Sequence, residues 1–170
     1  MRARAGSLTE RAILQLGYLR TPPSLTKESG KFIFVCSGNI CRSPYAEAVA
    51  KLHGVPAVSC GTRTEPGRTA DPTAVSEAAE RGVDLKEHRT TRWQDVDIQR
   101  ADVVFAMQLE HAFAVLPRAL KQRCPVVLFS SLLLPEFAVI RDPYGKSGKE
   151  FQAVFDLIDA GISHLFELQT

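Results

Sequence analysis

The sequence has little of several features that define whole classes of protein. Four cysteines in 170 residues are too few for a disulfide-held scaffold. The longest uncharged run, Cys124 to Pro135, is shorter than the roughly 18 apolar residues of a membrane-spanning helix. The 21 Lys and Arg against 19 Asp and Glu leave a net charge of only +2, which disfavours a nucleic-acid binder held by a basic face. No cluster of His, Cys and Asp has metal-ligand spacing. We therefore expect a globular protein with reduced thiols, located in the cytoplasm.

The first 30 residues differ from the rest and are predicted to be an extension. They contain five basic residues and only two acidic ones. Ser7 to Glu10 has the spacing of a capping box, and apolar residues then recur at helical intervals. Pro22-Pro23 ends the predicted helix before a linker. The chain is thus divided into residues 1–30, a short helix plus linker, and a domain of residues 31–170.

From Lys31 onward the pattern alternates between strands and helices. Phe32 to Val35 is a continuous apolar run, typical of a strand buried on both faces of a parallel sheet. Further strands are predicted at Val55–Ser59, Asp102–Met107 and Pro125–Phe129, and helices are predicted to begin at Ser43-Pro44, Asp71-Pro72 and Ser147. Strands separated by helices predict right-handed crossovers and an α/β fold whose parallel sheet is covered on both sides.

The loop after the first predicted strand contains the candidate chemistry, because ligands of such sheets bind beyond the carboxyl ends of the strands. The loop reads Cys36-Ser37-Gly38-Asn39-Ile40-Cys41-Arg42-Ser43. Gly38 permits backbone torsions that other residues avoid. A loop with inward-facing amides that ends on a helix N-terminus is a cradle for an anion. Arg42 adds a planar fork that can hold two phosphate oxygens.

The same loop is expected to activate Cys36. Free thiols are mostly protonated at neutral pH, whereas the loop amides, the helix dipole and Arg42 all favour the thiolate. Ser43 can donate to this sulfur while its oxygen accepts from an N–H in the first helical turn. A thiolate that faces a bound tetrahedral anion predicts phosphoryl transfer to sulfur. The leaving oxygen then needs an acid, and Asp142, held extended by Pro143 between the last strand and the last helix, is the candidate.

At this point the chain resembles a known family. Residues 31 to about 168 are similar to the low-molecular-weight protein-tyrosine phosphatases, in the Cys36–Ser43 loop and in the Asp142-Pro143-Tyr144 motif. The resemblance implies a three-layer α/β sandwich around a four-stranded parallel sheet, the flavodoxin-like phosphotyrosine phosphatase type I fold. It also implies a hydrolase without metal or cofactor that removes phosphate from phosphotyrosine proteins through a phosphocysteine intermediate.

The resemblance implies a role for each of several residues. Cys36 would form the phosphocysteine, Arg42 would bind phosphate, and Asp142 would protonate the leaving group and later activate water. The phosphate-binding loop would comprise Ser37, Gly38, Asn39, Ile40, Cys41, Arg42 and Ser43. Loop-bracing positions match Asn39, Ser43 and His88, and Tyr144 would face the substrate. Cys41 matches a cysteine that protects the nucleophile through a reversible disulfide, which would make the enzyme redox-regulated.

The implied partners are a phosphotyrosine-containing protein, with a cognate tyrosine kinase as one candidate, and phosphate or vanadate as active-site anions. Two positions depart from the family pattern. Residues 63–67 lack the aromatic side chain that the family often places beside the phosphate site, and Gln108 stands where an acidic residue is common.

Three other functions remain open on the sequence alone. Protein-arginine phosphatases are close relatives, but they tend to have Thr at the position of Ile40. Arsenate reductases share the fold and the loop, but they relay a disulfide through further cysteines, and the chain has none between Arg63 and Arg123. A module that only binds phosphate would need neither Cys36 nor Asp142.

Overall fold

In the computed structural model, the described residues are 30–99, 102–133 and 140–167. The strands are β1 (Phe32–Cys36), β2 (Ala57–Gly61), β3 (Val103–Ala106) and β4 (Val126–Leu128). The α-helices within these ranges are α1 (Arg42–Leu52), α2 (Pro72–Ala79), α3 (Leu109–Lys121) and α4 (Gly148–Glu167). Single turns of 3-10 helix lie at Trp93–Asp95 and Phe129–Leu132. The helix predicted before Pro22 lies outside the described residues.

The four strands form one parallel sheet in the order β2-β1-β3-β4. Alternate residues of β1 point to opposite faces: Phe32 and Phe34 pack with α1, α2 and α4, whereas Ile33 and Val35 pack with α3. Because both faces are buried, the strand is apolar throughout. The predicted three-layer α/β sandwich around a four-stranded parallel sheet is confirmed.

Local signals explain where two helices begin. At α2, the Asp71 carboxylate accepts from the backbone N–H groups of Thr73 and Ala74. At α4, the Ser147 N–H donates to Glu150 Oε2 at 2.9 Å, which is one of the two hydrogen bonds of a capping box. These side chains satisfy N–H groups that have no partner inside a helix, so the starts predicted at Asp71-Pro72 and Ser147 are confirmed.

Two elements differ from the sequence prediction by two residues or more, while helix α1 begins at Arg42 rather than Ser43. Strand β2 begins at Ala57 rather than Val55, because the Val55 N–H still bonds the Ala50 carbonyl at the exit of α1. Helix α3 was not predicted. It contains Pro117, and an interior proline is atypical of a helix because it lacks an N–H and crowds the preceding turn.

The chain order places two loops at the centre of one sheet edge. Strand β1 leads to β2 on one side, and the chain then crosses to β3 on the other, so the strand order reverses between β1 and β3. The loops that leave these two strands therefore meet at the carboxyl edge, where sheets of this kind bind ligands. None of the helices in the described ranges is long and apolar enough to cross a lipid bilayer.

Candidate active site

The loop between β1 and α1 holds the sulfur of Cys36 among hydrogen-bond donors. Cys36 ends the central strand β1, and Arg42 begins α1. The Asn39 N–H donates to Cys36 Sγ at 3.2 Å, and Ser43 Oγ lies 3.1 Å from the same sulfur. The loop thus places one backbone N–H and one hydroxyl group directly against the Cys36 sulfur.

Asn39 fixes the shape of this loop. Its φ of 55° lies in the left-handed region, where few residues other than glycine are found. Its Nδ2 donates to Ser43 Oγ at 3.0 Å and to Ser59 Oγ at 2.8 Å. Its Oδ1 accepts from the Thr91 N–H at 2.8 Å, and its carbonyl oxygen accepts from His88 Nε2 at 2.8 Å. Asn39 and His88 therefore lie where a loop-bracing role requires them.

One predicted contact of Ser43 is wrong. Its oxygen accepts from the Asn39 side chain, not from an N–H of the first helical turn. The reason is the inward position of the buried Asn39 amide, which reaches Ser43 across the loop. The single hydrogen of the Ser43 hydroxyl has two acceptors within reach, Cys36 Sγ at 3.1 Å and the Cys60 carbonyl at 3.4 Å, of which the sulfur is the nearer.

Arg42 is a buried cation with an incomplete set of partners. Its Nη1 donates to Gln108 Oε1 at 2.7 Å, and its Nη2 lies 2.8 Å from Asp142 Oδ2. Its Nε is buried and has no hydrogen-bond partner among the described residues. A buried guanidinium costs free energy unless its donors and charge are matched. An oxyanion in the loop would supply the acceptor that Nε needs.

Asp142 and Tyr144 lie across the active-site cavity from the β1–α1 loop. The Tyr144 N–H donates to Asp142 Oδ1 at 3.2 Å, which orients the carboxylate towards Arg42. Their side chains reach solvent, with Tyr144 59% exposed. The two residues and the β1–α1 loop enclose a cavity of about 230 Å³. The predicted residues on its wall are Cys36, Ser37, Gly38, Ile40, Cys41, Arg42, Asp142 and Tyr144, whereas Asn39, Ser43 and His88 lie behind the loop.

The first turn of α3 supplies two contacts that the sequence did not reveal. Gln108 binds Arg42, as described above, and His111 Nε2 lies 2.9 Å from Ser37 Oγ. His111 is buried, and that burial, together with the charges of Arg42 and Arg63, lowers its pKa to about 4. The segment after β3 thus contacts the phosphate loop near both of its ends, at Ser37 and at Arg42. The position of that segment at the carboxyl edge was the only signal.

The other thiols differ from Cys36 in their surroundings. Burial, followed by the charges of Asp71 and Cys36, raises the pKa of Cys41, so this thiol stays protonated. Burial also raises the pKa of Cys60, and it raises that of Cys124 to about 12. The Cys124 thiol donates to the Asp102 carbonyl at 3.2 Å. Cys60 and Cys124 are therefore core residues, and all four cysteines are free in the structure.

Known proteins resemble this chain in sequence and in fold. The sequence model of the low molecular weight phosphotyrosine protein phosphatases matches residues 31–169. A probable low molecular weight protein-tyrosine-phosphatase, EpsP of Ralstonia nicotianae, is 34% identical over 134 residues, which cover 76% of this chain and 89% of the relative. The structure of Vibrio vulnificus Wzb in complex with benzylphosphonate superposes with a TM-score of 0.70 at 29% identity, covering 82% of this chain and 98% of that one.

A second structural relative is an arginine phosphatase. The YwlE arginine phosphatase from Geobacillus stearothermophilus superposes with a TM-score of 0.69 at 26% identity, covering 81% of this chain and 91% of that one. The fold and the cysteine loop define a class of cysteine-based phosphatases. Within that class, this chain belongs to the low molecular weight phosphotyrosine protein phosphatase family. The family predicted from the two motifs is confirmed, and the protein is a phosphatase of this class.

The buried His111 predicts a pH dependence of stability. Its pKa is about 4 in the folded protein and 6.5 ordinarily, so the unfolded chain binds the proton more tightly. Stability present above pH 6.5 should therefore fall as the pH drops towards 4, by up to about 3 kcal/mol from this residue. Burial lowers the pKa of His88 as well, which adds a loss in the same direction.

The measurement is urea unfolding at several pH values between 4 and 7. In His111→Gln, the free energy of unfolding should fall less steeply with decreasing pH than in the parent, whatever the effect of the substitution on stability at pH 7. His53→Gln, at an exposed histidine, is the matched control and should keep the full decline. An undiminished slope in His111→Gln would contradict a neutral, buried imidazole.

Proposed function

We propose that this phosphatase hydrolyses phosphotyrosine in proteins through a phosphocysteine on Cys36. One observation carries the proposal: Cys36 Sγ accepts from the loop while the buried Arg42, whose Nε has no partner among the described residues, lines the same cavity. A phosphoryl group in the loop would take Nε and Nη2 of Arg42 as a two-pronged contact. Asp142, which pairs with Nη2 in this structure, would then be released towards the leaving oxygen.

The reaction would proceed in two steps. Cys36 Sγ attacks phosphorus, the bond from phosphorus to the tyrosine oxygen breaks, and the Asp142 carboxyl group donates its proton to that oxygen. Water then attacks the phosphocysteine while the Asp142 carboxylate takes a proton from it. Phosphate leaves and the thiolate is restored. Throughout both steps, Arg42 and the loop amides balance the charge on the phosphoryl oxygens.

The walls of the cavity favour a phenyl ring over a guanidinium group. Ile40 and the exposed ring of Tyr144 offer apolar surface on either side of the loop. Arg63 and Arg68 also line the cavity, and their charge would repel a guanidinium. This charge disfavours phosphoarginine as the substrate, although the fold itself accommodates that activity.

Arsenate reduction and phosphate binding without turnover receive no support from the site. An arsenate reductase needs thiols that can reach the nucleophile in sequence, yet Cys60 and Cys124 are buried in the core and are not among the residues that line the cavity. A phosphate-binding module would have no need of a carboxylate beside the anion, and Asp142 lies 2.8 Å from Arg42.

We further propose that the substrate is a phosphotyrosine protein of the cytoplasm, with a cognate tyrosine kinase as one candidate. The names of the relatives, as protein-tyrosine phosphatases, support the substrate class. The division into an extension of residues 1–30 and a phosphatase domain also stays a prediction. Residues 1–29 lie outside the described residues.

Replacing Cys36 tests the nucleophile. Cys36→Ser should lower kcat on an aryl phosphate by at least about 10⁴-fold, because a hydroxyl is a far weaker nucleophile in this loop. Circular dichroism should be unchanged. Cys124→Ser, at a thiol remote from the cavity, should retain most of the activity. Turnover by Cys36→Ser within tenfold of the parent would overturn the assignment.

Replacing Asp142 tests the acid. Asp142→Asn should slow the hydrolysis of phenyl phosphate, whose phenolate is a poor leaving group, by about 10²- to 10⁴-fold. It should slow the hydrolysis of a nitrophenyl phosphate much less. The rate losses for the two substrates differ because a nitrophenolate can leave without being protonated. Asp97→Asn, at an exposed carboxylate, serves as the control. Equal slowing of both substrates would place the acid elsewhere.

Cys41 is proposed to protect Cys36 from irreversible oxidation. Peroxide would convert the Cys36 thiolate to a sulfenic acid, and condensation with the Cys41 thiol would release water and form a disulfide. After mild peroxide, a dithiol should restore most of the activity of the parent and little of that of Cys41→Ser, each normalised to its own starting rate. Equal recovery in both proteins would remove the role of Cys41.

A further inference from the structure

The loop after β2 presents two arginines to the active-site cavity. Arg63 and Arg68 are both exposed, and both line the cavity with Cys36 and Arg42. Neither arginine has a step to perform in the two-step reaction proposed above.

One end of this loop is fixed to the phosphate loop through the backbone. The Thr62 N–H donates to the Cys36 carbonyl at 2.9 Å, and the Arg63 N–H donates to the Ser37 carbonyl at 2.9 Å. The approach is close enough to require glycine at position 61. A Cβ there would lie 2.6 Å from the Ser37 carbonyl oxygen. The backbone of Arg63 is thus placed relative to the nucleophile.

The other end is fixed by Thr90, which is buried. The Arg68 N–H donates to Thr90 Oγ1 at 2.9 Å, and the Thr90 N–H donates to the Arg68 carbonyl at 2.8 Å. Both arginines therefore extend from backbone that is already fixed. A ligand that binds them would not have to order this backbone, which reduces the entropy lost on binding.

Both guanidinium groups lack a counter-ion in the part of the chain that the structure describes. No carboxylate within residues 30–99, 102–133 and 140–167 forms an ion pair with Arg63 or Arg68. Asp142, the carboxylate on the cavity wall, pairs with Arg42.

We propose that Arg63 and Arg68 form a second anion subsite at the mouth of the cavity, which selects phosphotyrosine substrates with another anionic group beside the phosphotyrosine. The inference rests on the proposed phosphotyrosine hydrolysis. Guanidinium forks match carboxylate and phosphate groups, so the second anion is either an acidic side chain or another phosphate.

The test compares three phosphotyrosine peptides of equal length: one with neutral flanks, one with glutamates, and one with a second phosphotyrosine. The quantity measured is the ratio of kcat/KM for each anionic peptide to that for the neutral one. In the parent enzyme the ratio should be about tenfold at low salt, as expected for two exposed ion contacts. It should shrink between about 0.05 and 0.5 M salt, because screening weakens such contacts.

The variant is Arg63→Gln with Arg68→Gln, which should reduce the ratio to about twofold or less. The control is Lys51→Gln with Lys121→Gln, which removes the same charge from exposed lysines near the far ends of α1 and α3. The control should keep the parent ratio. A preference for both anionic peptides supports a subsite for either group, and a preference for the doubly phosphorylated peptide alone supports a phosphate subsite.

Three results would overturn the subsite: no preference in the parent, an unchanged ratio in the arginine variant, or an equal loss in the lysine control. Failure of the underlying function is visible separately. A parent enzyme that leaves a small aryl phosphate without a second anionic group intact contradicts phosphotyrosine hydrolysis itself, whatever its behaviour towards the peptides.

Discussion

The site depends on one buried amide. Asn39 turns the chain into the left-handed region, which costs an ordinary residue about 1 kcal/mol or more. This turn aims its N–H at Cys36 Sγ, while its side chain and carbonyl bind Ser43, Ser59, Thr91 and His88. Because every polar group of Asn39 except the N–H on sulfur bonds to a fixed neighbour, the surroundings determine the strained backbone. The donors around the sulfur are therefore in place before any substrate arrives.

The charge of Arg42 explains why the cavity is suited to a dianion. Its inner partner is Gln108, a neutral amide that accepts a hydrogen bond without offsetting charge. Its outer partner is Asp142, whose side chain is 47% exposed and can be rehydrated when it moves away. A carboxylate in place of Gln108 would compete with the phosphoryl group for the same guanidinium. The departure at position 108 thus keeps the hydrogen bond and leaves more positive charge for the phosphate.

The sequence was informative where a single segment contains the whole signal. Strand β1, the loop and the start of α1 are contiguous, so their apolar run, cysteine and arginine could be interpreted together. Helix α3 was missed because Pro117 masks its pattern. His111 was missed for a different reason, since its contact with Ser37 spans 74 residues and exists only once β1 and β3 are paired. The partner of Ser43 was misassigned because a local N–H is the usual choice, whereas the actual donor is the inward-facing Asn39.

The phosphate loop and the loop that carries Arg63 and Arg68 meet at Gly61. The absence of a side chain there lets the loop after β2 reach the Ser37 carbonyl, and the same close approach anchors the backbone of Arg63. A displacement at this junction would move the phosphate loop and the arginine loop together. Changes of specificity are therefore easier through the side chains at positions 63 and 68 than through the backbone that carries them. The exposed charges can vary while the cradle around Cys36 stays fixed.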